Sequence, residues 1–423
     1  MSFSTALSGL NAASNNLTII GNNIANANTY GFKASRAEFV DSYAANVAGT
    51  GNLQPGTGVR LAQVAQQFTQ GNSEATGNEL DMEINGEGFF TLAATPDEVN
   101  ARVYSRNGSF HVNKDGIVVN NQGQALLAYK PNGLTITDGF SSGEVSTVSL
   151  NIGAGKPVAT SLVTFQANLD ATSPAIPNTV TFDPLNDDTY TDQSPSTVYD
   201  SLGVPHRLTT YFVANAATPP TRSWTVHHYI TDDGVPPVSL DTTPPATITF
   251  DSAGELISPA DGKLTLAPYS TGTAAASIDI TMDLKGTTQL NNEYAPNILK
   301  QNGLPAGTFT DIKIDDQGVI LANFSNGGSS PLGRIVMTRF TNPQGLSKLG
   351  DGAWAETSTS GAPLSGAATE GIFGAIQSGS LEQSNVDLTK QLVSLIVAQQ
   401  TYQANSQTIQ TENSSIQTIL QLG

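Results

Sequence analysis

Few residues in this chain have the type and spacing to do chemistry, and each candidate fails on its neighbours. Gly139-Phe140-Ser141-Ser142-Gly143 fits the G-x-S-x-G pattern of a hydrolase nucleophile. That serine needs a helix behind it, whereas Glu144-Val145-Ser146-Thr147-Val148 reads as a strand. Gly153-Ala154-Gly155-Lys156 resembles part of a phosphate-binding loop. Leu150 stands where its first glycine belongs, and Pro157 replaces the hydroxyl residue that holds magnesium. His227 and His228 are adjacent and point to opposite faces of a strand. His111 and His206 lack a metal-ligand partner at useful spacing. Asp187-Asp188 and Asp232-Asp233-Gly234 do not follow the calcium-loop pattern and read as solvated turns. The expectation is a chain with no catalytic residue, no cofactor and no metal.

The elements that would have to carry such residues are organised for something else. Residues 1–32 contain no charge, proline or cysteine. Phe3, Leu10, Leu17 and Ile24 recur every seven residues, with Ala6, Ala13, Ile20 and Ala27 offset by three. That pattern is one face of a coiled-coil helix. The stretch is rich in Asn, Ser and Thr, which are weak helix formers, so it should fold only against a partner. The last 36 residues repeat the design. Leu388, Leu395, Tyr402, Ile409 and Ile416 form one stripe; Leu392, Gln399, Ser406, Asn413 and Leu420 form the other. Polar residues in a seam weaken it while fixing register. Two segments too poor to fold alone at opposite ends of a 423-residue chain should meet, making everything between them an insertion.

Composition limits the partners. Thirty-six acids against eighteen Lys and Arg give a net charge of −18, unfavourable for nucleic acid and for anionic membranes. There is no cysteine for a disulfide or a thiolate metal site. No apolar run is long enough for a membrane span. The first lysine is Lys33, so the basic start of a cleaved secretory signal is missing.

Between the ends the sequence reads as β structure. Gly31 should stop the first helix, and residues 34–47 should add a short one, with Phe39, Tyr43 and Val47 on one side. Residues 49–58 hold four glycines and a proline and read as a linker. Asn113-Lys114-Asp115-Gly116 and Asp315-Asp316-Gln317-Gly318 each sit between strand-like runs, as hairpin turns do. From Asp170 to Glu255 there are eleven acids, two arginines and half of the 22 prolines. This is the mark of a separate, loop-rich β domain. The fold class expected is mainly β with α-helical coiled-coil termini, in a nested, discontinuous multidomain architecture. Its parts are a terminal helix region (1–48) pairing with a C-terminal helix (380–423), a linker (49–70), a middle β domain (71–160 with 291–379), and an outer acidic β domain (161–290).

Residues 8–35, SGLNAASNNLTIIGNNIANANTYGFKAS, resemble the N-terminal signature of the bacterial flagellar rod and hook axial proteins. Asn23, Ile24, Ala25, Asn26, Asn28, Thr29, Gly31 and Phe32 carry the match. The run from Gly379, GSLEQSNVDLTKQLVSLIVAQQTYQANSQTIQT, is similar to the family's C-terminal signature. Leu80–Phe90, Tyr104–Tyr129 and Phe340–Thr357 are similar to its conserved β domain. The resemblance implies a self-assembling, non-enzymatic subunit of the flagellar hook, a flexible curved tube acting as a universal joint. It would be extracellular, exported unfolded through the flagellar type III apparatus without a cleaved signal peptide. Its neighbours would be copies of itself, the distal rod, the hook cap and the hook-filament junction proteins. The terminal helices would line the inner wall. The expected interface residues are Phe3, Leu10, Leu17, Ile20 and Ile24 with Leu388, Leu392, Leu395, Tyr402, Ile409, Ile416 and Leu420. Two other readings remain: a stiff rod protein, which would lack so large an insertion, and a secreted carbohydrate-binding or adhesive β protein. The last would need Tyr211, Trp224 and Tyr229 exposed in a row.

Overall fold

The computed structural model describes residues 3–42, 58–133, 135–150, 155–232 and 234–422. Residues 49–57 of the linker expected at 49–70, with Tyr43, Val47, Gly153, Ala154 and Asp233, lie outside the described residues. Contacts divide the chain into two units. The first comprises Met1–Asn151, Ile312–Ala322 and Ser330–Gly423; the second comprises Ile152–Asp311 and Asn323–Ser329.

The first unit holds both long helices, α1 (Phe3–Ala25) and α2 (Leu388–Leu422). Asp387 caps α2, its carboxylate accepting from the Lys390 amide at 3.1 Å. Helix α1 stops at Ala25, short of Gly31. The Asn26 side chain donates to the Asn22 carbonyl at 2.8 Å, a local bond that competes with the helix ladder. Gly31 has another role, developed below.

Two strands, β1 (Ser35–Ser42) and β2 (Gly58–Gln66), pair antiparallel, with a bulge between Glu38 and Phe39. The short helix expected from residue 34 is therefore a strand, and the end of the expected linker is its partner. Aromatic and β-branched residues in both runs, Phe39, Val40, Val59 and Val64, favour pairing once a second strand is available. Beyond them, strands Phe89–Ala93, Arg102–Ser105, Ala125–Pro131, Ser329–Arg339 and Ala353–Ala355 join one large sheet. Its core packs Met82, Ile84, Phe90, Leu92, Phe110, Leu126, Ile320, Ile335 and Met337. Phe89, Tyr104, Phe340 and Trp354 form a second cluster with edge-on ring contacts.

The second unit is a sandwich. One sheet is centred on Leu162–Asp170. The other runs through Asp192–Tyr199, Pro205–Ala214, Arg222–Thr231 and Ala246–Phe250. Phe165 of the first stacks on Phe212 of the second at 5.3 Å, within a core that includes Trp224 and Met282. The boundaries expected at 161 and 290 are too narrow. Ala295–Gln301 pairs with Leu162–Asp170, so residues the sequence assigned to the middle domain complete this sheet.

The turns follow one rule. At Asn113, Asn120, Asp200, Asp251 and Asp315 the side-chain oxygen accepts amides two and four residues on. The fourth residue of each turn is a glycine with φ between 75° and 83°. Asp315→Ala leaves the amides of Gln317 and Val319 without that acceptor. We expect a loss of about 1–2 kcal/mol, read as a lower urea midpoint at unchanged slope.

Candidate assembly interface

The helices meet because each supplies what the other lacks, a narrow face. In α1 the buried line is Ala6, Ala13, Ile20 and Asn23. The small residues let α2 approach closely: a Cβ placed on Gly9 would lie 2.8 Å from Asn405 Oδ1. Asn23 reaches Gln391 at 3.5 Å, so advancing fourteen residues along α1 retreats fourteen along α2 and the pair is antiparallel. In this register Phe3 faces the region of residue 411. The rest of α2, about 11 residues or roughly 16 Å, runs past the start of α1.

The structure brings Leu10, Leu17, Ile20, Ile24, Leu395 and Ile409 to half-buried or buried positions. It leaves Phe3, Leu388, Leu392, Tyr402, Ile416 and Leu420 exposed. The second stripe of α2 is thus not the one expected. The inward residues beside Leu395 are Gln391, Ala398, Asn405 and Glu412, one position earlier than Leu392, Gln399, Ser406 and Asn413. Leu392 was the attractive choice because it is apolar. In this chain the apolar residues lie outside the intramolecular seam. Leu392, Val393, Ile396 and Val397 are 49%, 58%, 54% and 55% exposed, a continuous patch over about two turns of α2. The sequence reading did not single out Val393, Ile396 and Val397, although their i, i+3, i+4 spacing beside Leu392 was visible.

The N-terminal signature residues work at the base of the helices. Asn23 exchanges two bonds with the Ser35 backbone, each 2.8 Å, anchoring β1 to α1. Asn26 receives a bond from the Thr29 hydroxyl at 3.3 Å, and Asn28 is exposed. Gly31 has φ 68°, and a Cβ there would lie 2.4 Å from the Asn107 amide nitrogen, so neither backbone nor space admits a side chain. Phe32 is buried under the Lys348 ammonium, 5.1 Å from its ring centre.

Three residues the sequence reading left without a role lie together beneath them. Lys33 and Glu382, with side chains 0% and 1% exposed, meet at 2.6 Å. Arg106 approaches the other carboxylate oxygen at 3.4 Å and donates to the carbonyl of Gly86 at 2.8 Å. Burial pushes the Lys33 ammonium below its ordinary pKa, and the Glu382 charge opposes that shift. One signal was available: Lys33 is the first charge in the chain, and Glu382 is the only one between Glu370 and Asp387.

Histidines expected at the surface or in packing are mostly in the second unit's interior. His206 bonds Asp232 at 2.9 Å, and His227 and His228 share Asp241. Among the described residues no group of three or more His, Asp or Glu could hold a metal, and no helix is long and apolar enough to cross a membrane. Ser141 lies within the strand Phe140–Thr147.

Family comparisons agree along the chain. Residues 3–33 match the flagella basal body rod protein family, and 83–154 match the flagellar hook protein FlgE/F/G D1 domain. Residues 168–304 match the flagellar basal body protein FlaE D2 domain, and 377–422 match the flagellar basal body rod FlgEFG protein C-terminal family. A crystal structure of the Helicobacter pylori flagellar hook protein FlgE2 aligns with a TM-score of 0.53 at 18% identity. It covers 73% of this chain and 100% of that one, a likeness of fold. The flagellar hook protein FlgE of Salmonella typhimurium is 38% identical over 100% of both chains. That of Borreliella burgdorferi is 30% identical over 99% of this chain and 98% of its own. Identity that holds from the first helix to the last, through both units, places this chain in the flagellar hook protein FlgE family.

Proposed function

We infer that this protein is the structural subunit of the bacterial flagellar hook, building the hook by self-assembly. The single observation that carries the reading is the outward face of α2, where Leu392, Val393, Ile396 and Val397 stand exposed beside a polar intramolecular seam. Apolar surface of this extent on a helix marks a contact with another molecule, and in a homopolymer that molecule is a second copy. The overhanging end of α2 carries two further exposed apolar residues, Ile416 and Leu420. The terminal helices line the inner wall of the tube, and the interface includes the exposed Phe3, Leu388, Leu392 and Tyr402. Small and polar seam residues such as Ala398, Asn405 and Gly9 allow neighbouring helices to shift past one another, as a universal joint requires. Its neighbours in the flagellum are the distal rod, the hook cap and the hook-filament junction proteins. Delivery is through the type III apparatus.

A rod subunit is the second reading, favoured by the rod families matched at both ends of the chain. Electron microscopy of the purified, polymerised protein separates the two: curved, supercoiled tubes are expected, and straight stiff tubes would favour the rod. A carbohydrate-binding aromatic row is not supported, because Trp224 is fully buried and Tyr211 nearly so.

A further inference from the structure

We propose that Asp200 and His206 form a binding site for one divalent transition-metal ion of the zinc class, within the second unit's sandwich. The His206 side chain, at the start of strand Pro205–Ala214, is 6% exposed. That of Asp200, just after strand Asp192–Tyr199, is 1% exposed. His206 Nδ1 lies 2.9 Å from the Asp232 carboxylate, to which the Tyr269 hydroxyl also donates at 2.9 Å. A carboxylate can only accept, so Nδ1 carries the ring proton and Nε2 presents a lone pair. Asp200 Oδ1 accepts the amides of Leu202 and Val204, each at 2.8 Å. The remaining atoms, His206 Nε2 and Asp200 Oδ2, stand 3.7 Å apart, and neither has a hydrogen-bond partner among the described residues.

Two buried acceptors facing each other cost free energy until something positive lies between them. A tetrahedral zinc ion holds imidazole nitrogen and carboxylate oxygen at about 2.0–2.2 Å, so neighbouring ligand atoms stand about 3.4 Å apart. The present gap has only to close by a few tenths of an ångström. Asp232 on the far ring nitrogen is the outer-shell partner that fixes the tautomer and raises the basicity of a ligating histidine. An imidazole beside a carboxylate suits zinc better than magnesium, which prefers oxygen throughout. Asp200 and His206 open onto a cavity of about 460 Å³, also lined by Thr197, Thr231 and Thr273, with room for the waters that complete the shell. Arg207 is the one Lys or Arg on that lining; it is exposed and alternates with His206 along the strand. The bound ion would tie the turn at Asp200 to the start of Pro205–Ala214 and, through Asp232, to the end of Arg222–Thr231.

The test is a titration of the full chain with zinc chloride, read by calorimetry and by thermal unfolding, beside Asp200→Asn and His206→Gln proteins. One zinc ion should bind per chain, and at about 100 times its Kd the second unit's midpoint should rise by roughly 5–10 °C. Magnesium chloride at the same concentration should leave the midpoint unchanged. Asp200→Asn carries the decisive sign. Its Oδ1 still accepts the two turn amides, while its Nδ2 donates to the His206 lone pair. Without metal this variant should melt about 2 °C or more above wild type, and it should bind zinc at least about 10-fold more weakly. His206→Gln removes the nitrogen ligand and should weaken binding by at least as much. Absence of zinc binding to wild type, unchanged binding in both variants, or an equal response to magnesium would overturn the proposal. So would a lower midpoint for metal-free Asp200→Asn, the mark of an ion pair between the two side chains.

Discussion

Val393→Asp with Val397→Asp should leave the isolated protein folded and stop it from forming tubes. Both side chains are more than half exposed, so little packing is lost within one chain. Both lie on the solvent-facing side of α2, where a carboxylate stays hydrated in the monomer. On the proposed interface the same positions are covered by a second copy in the assembled tube. Each carboxylate then enters an apolar contact without a partner, at a cost of several kcal/mol per subunit. The concentration needed for assembly should rise at least about 100-fold. Thermal unfolding of the monomer should shift little. Sedimentation and negative-stain microscopy check the first expectation, and circular dichroism the second. Normal tubes from this variant would show that the α2 patch is not a subunit contact.

Removing residues 1–30 should have an equally large effect on assembly for a different reason. The deletion takes away α1 and exposes the inward face of α2, Leu395, Ala398 and Ile409. It spares Gly31, Phe32 and Lys33, so the buried contact with Glu382 and Arg106 survives. Both β cores lie outside the deleted stretch. A soluble monomer with native near-ultraviolet dichroism is expected, with no polymer at any concentration reached by the full chain. Helix α2, once unpaired, should lose most of its helicity, because its seam is too polar to stand alone. Tubes formed by the shortened protein would contradict the account of the terminal pair.

What the sequence made legible was local. Helices at both ends were visible from the seven-residue stripes. The hairpins at Asn113 and Asp315 were visible because a side-chain acceptor and a glycine three residues later satisfy one turn geometry. The strand Ser35–Ser42 was misread as helix because Phe39, Tyr43 and Val47 fall four apart. Its pairing with Gly58–Gln66 is non-local, and no window over residues 34–47 contains it. The choice of stripe on α2 failed for a reason specific to assembly subunits. Burial within one chain and burial between chains leave the same apolar signature, and Leu392, exposed in the single chain, belongs to the proposed contact between copies. The contact of Lys33 with Glu382 lay beyond any local pattern, since the two are distant in sequence and only the fold brings them together.

The most direct measurement uses the absence of cysteine from the chain. A single Val397→Cys substitution places one thiol within the exposed α2 patch, and its reaction with a maleimide can be timed before and after polymerisation. Near-free reactivity in the monomer, slowed at least about 100-fold in the tube, is the expected result. Equal rates in the two states would mean that no second copy covers α2, and the assembly interface would have to be sought elsewhere.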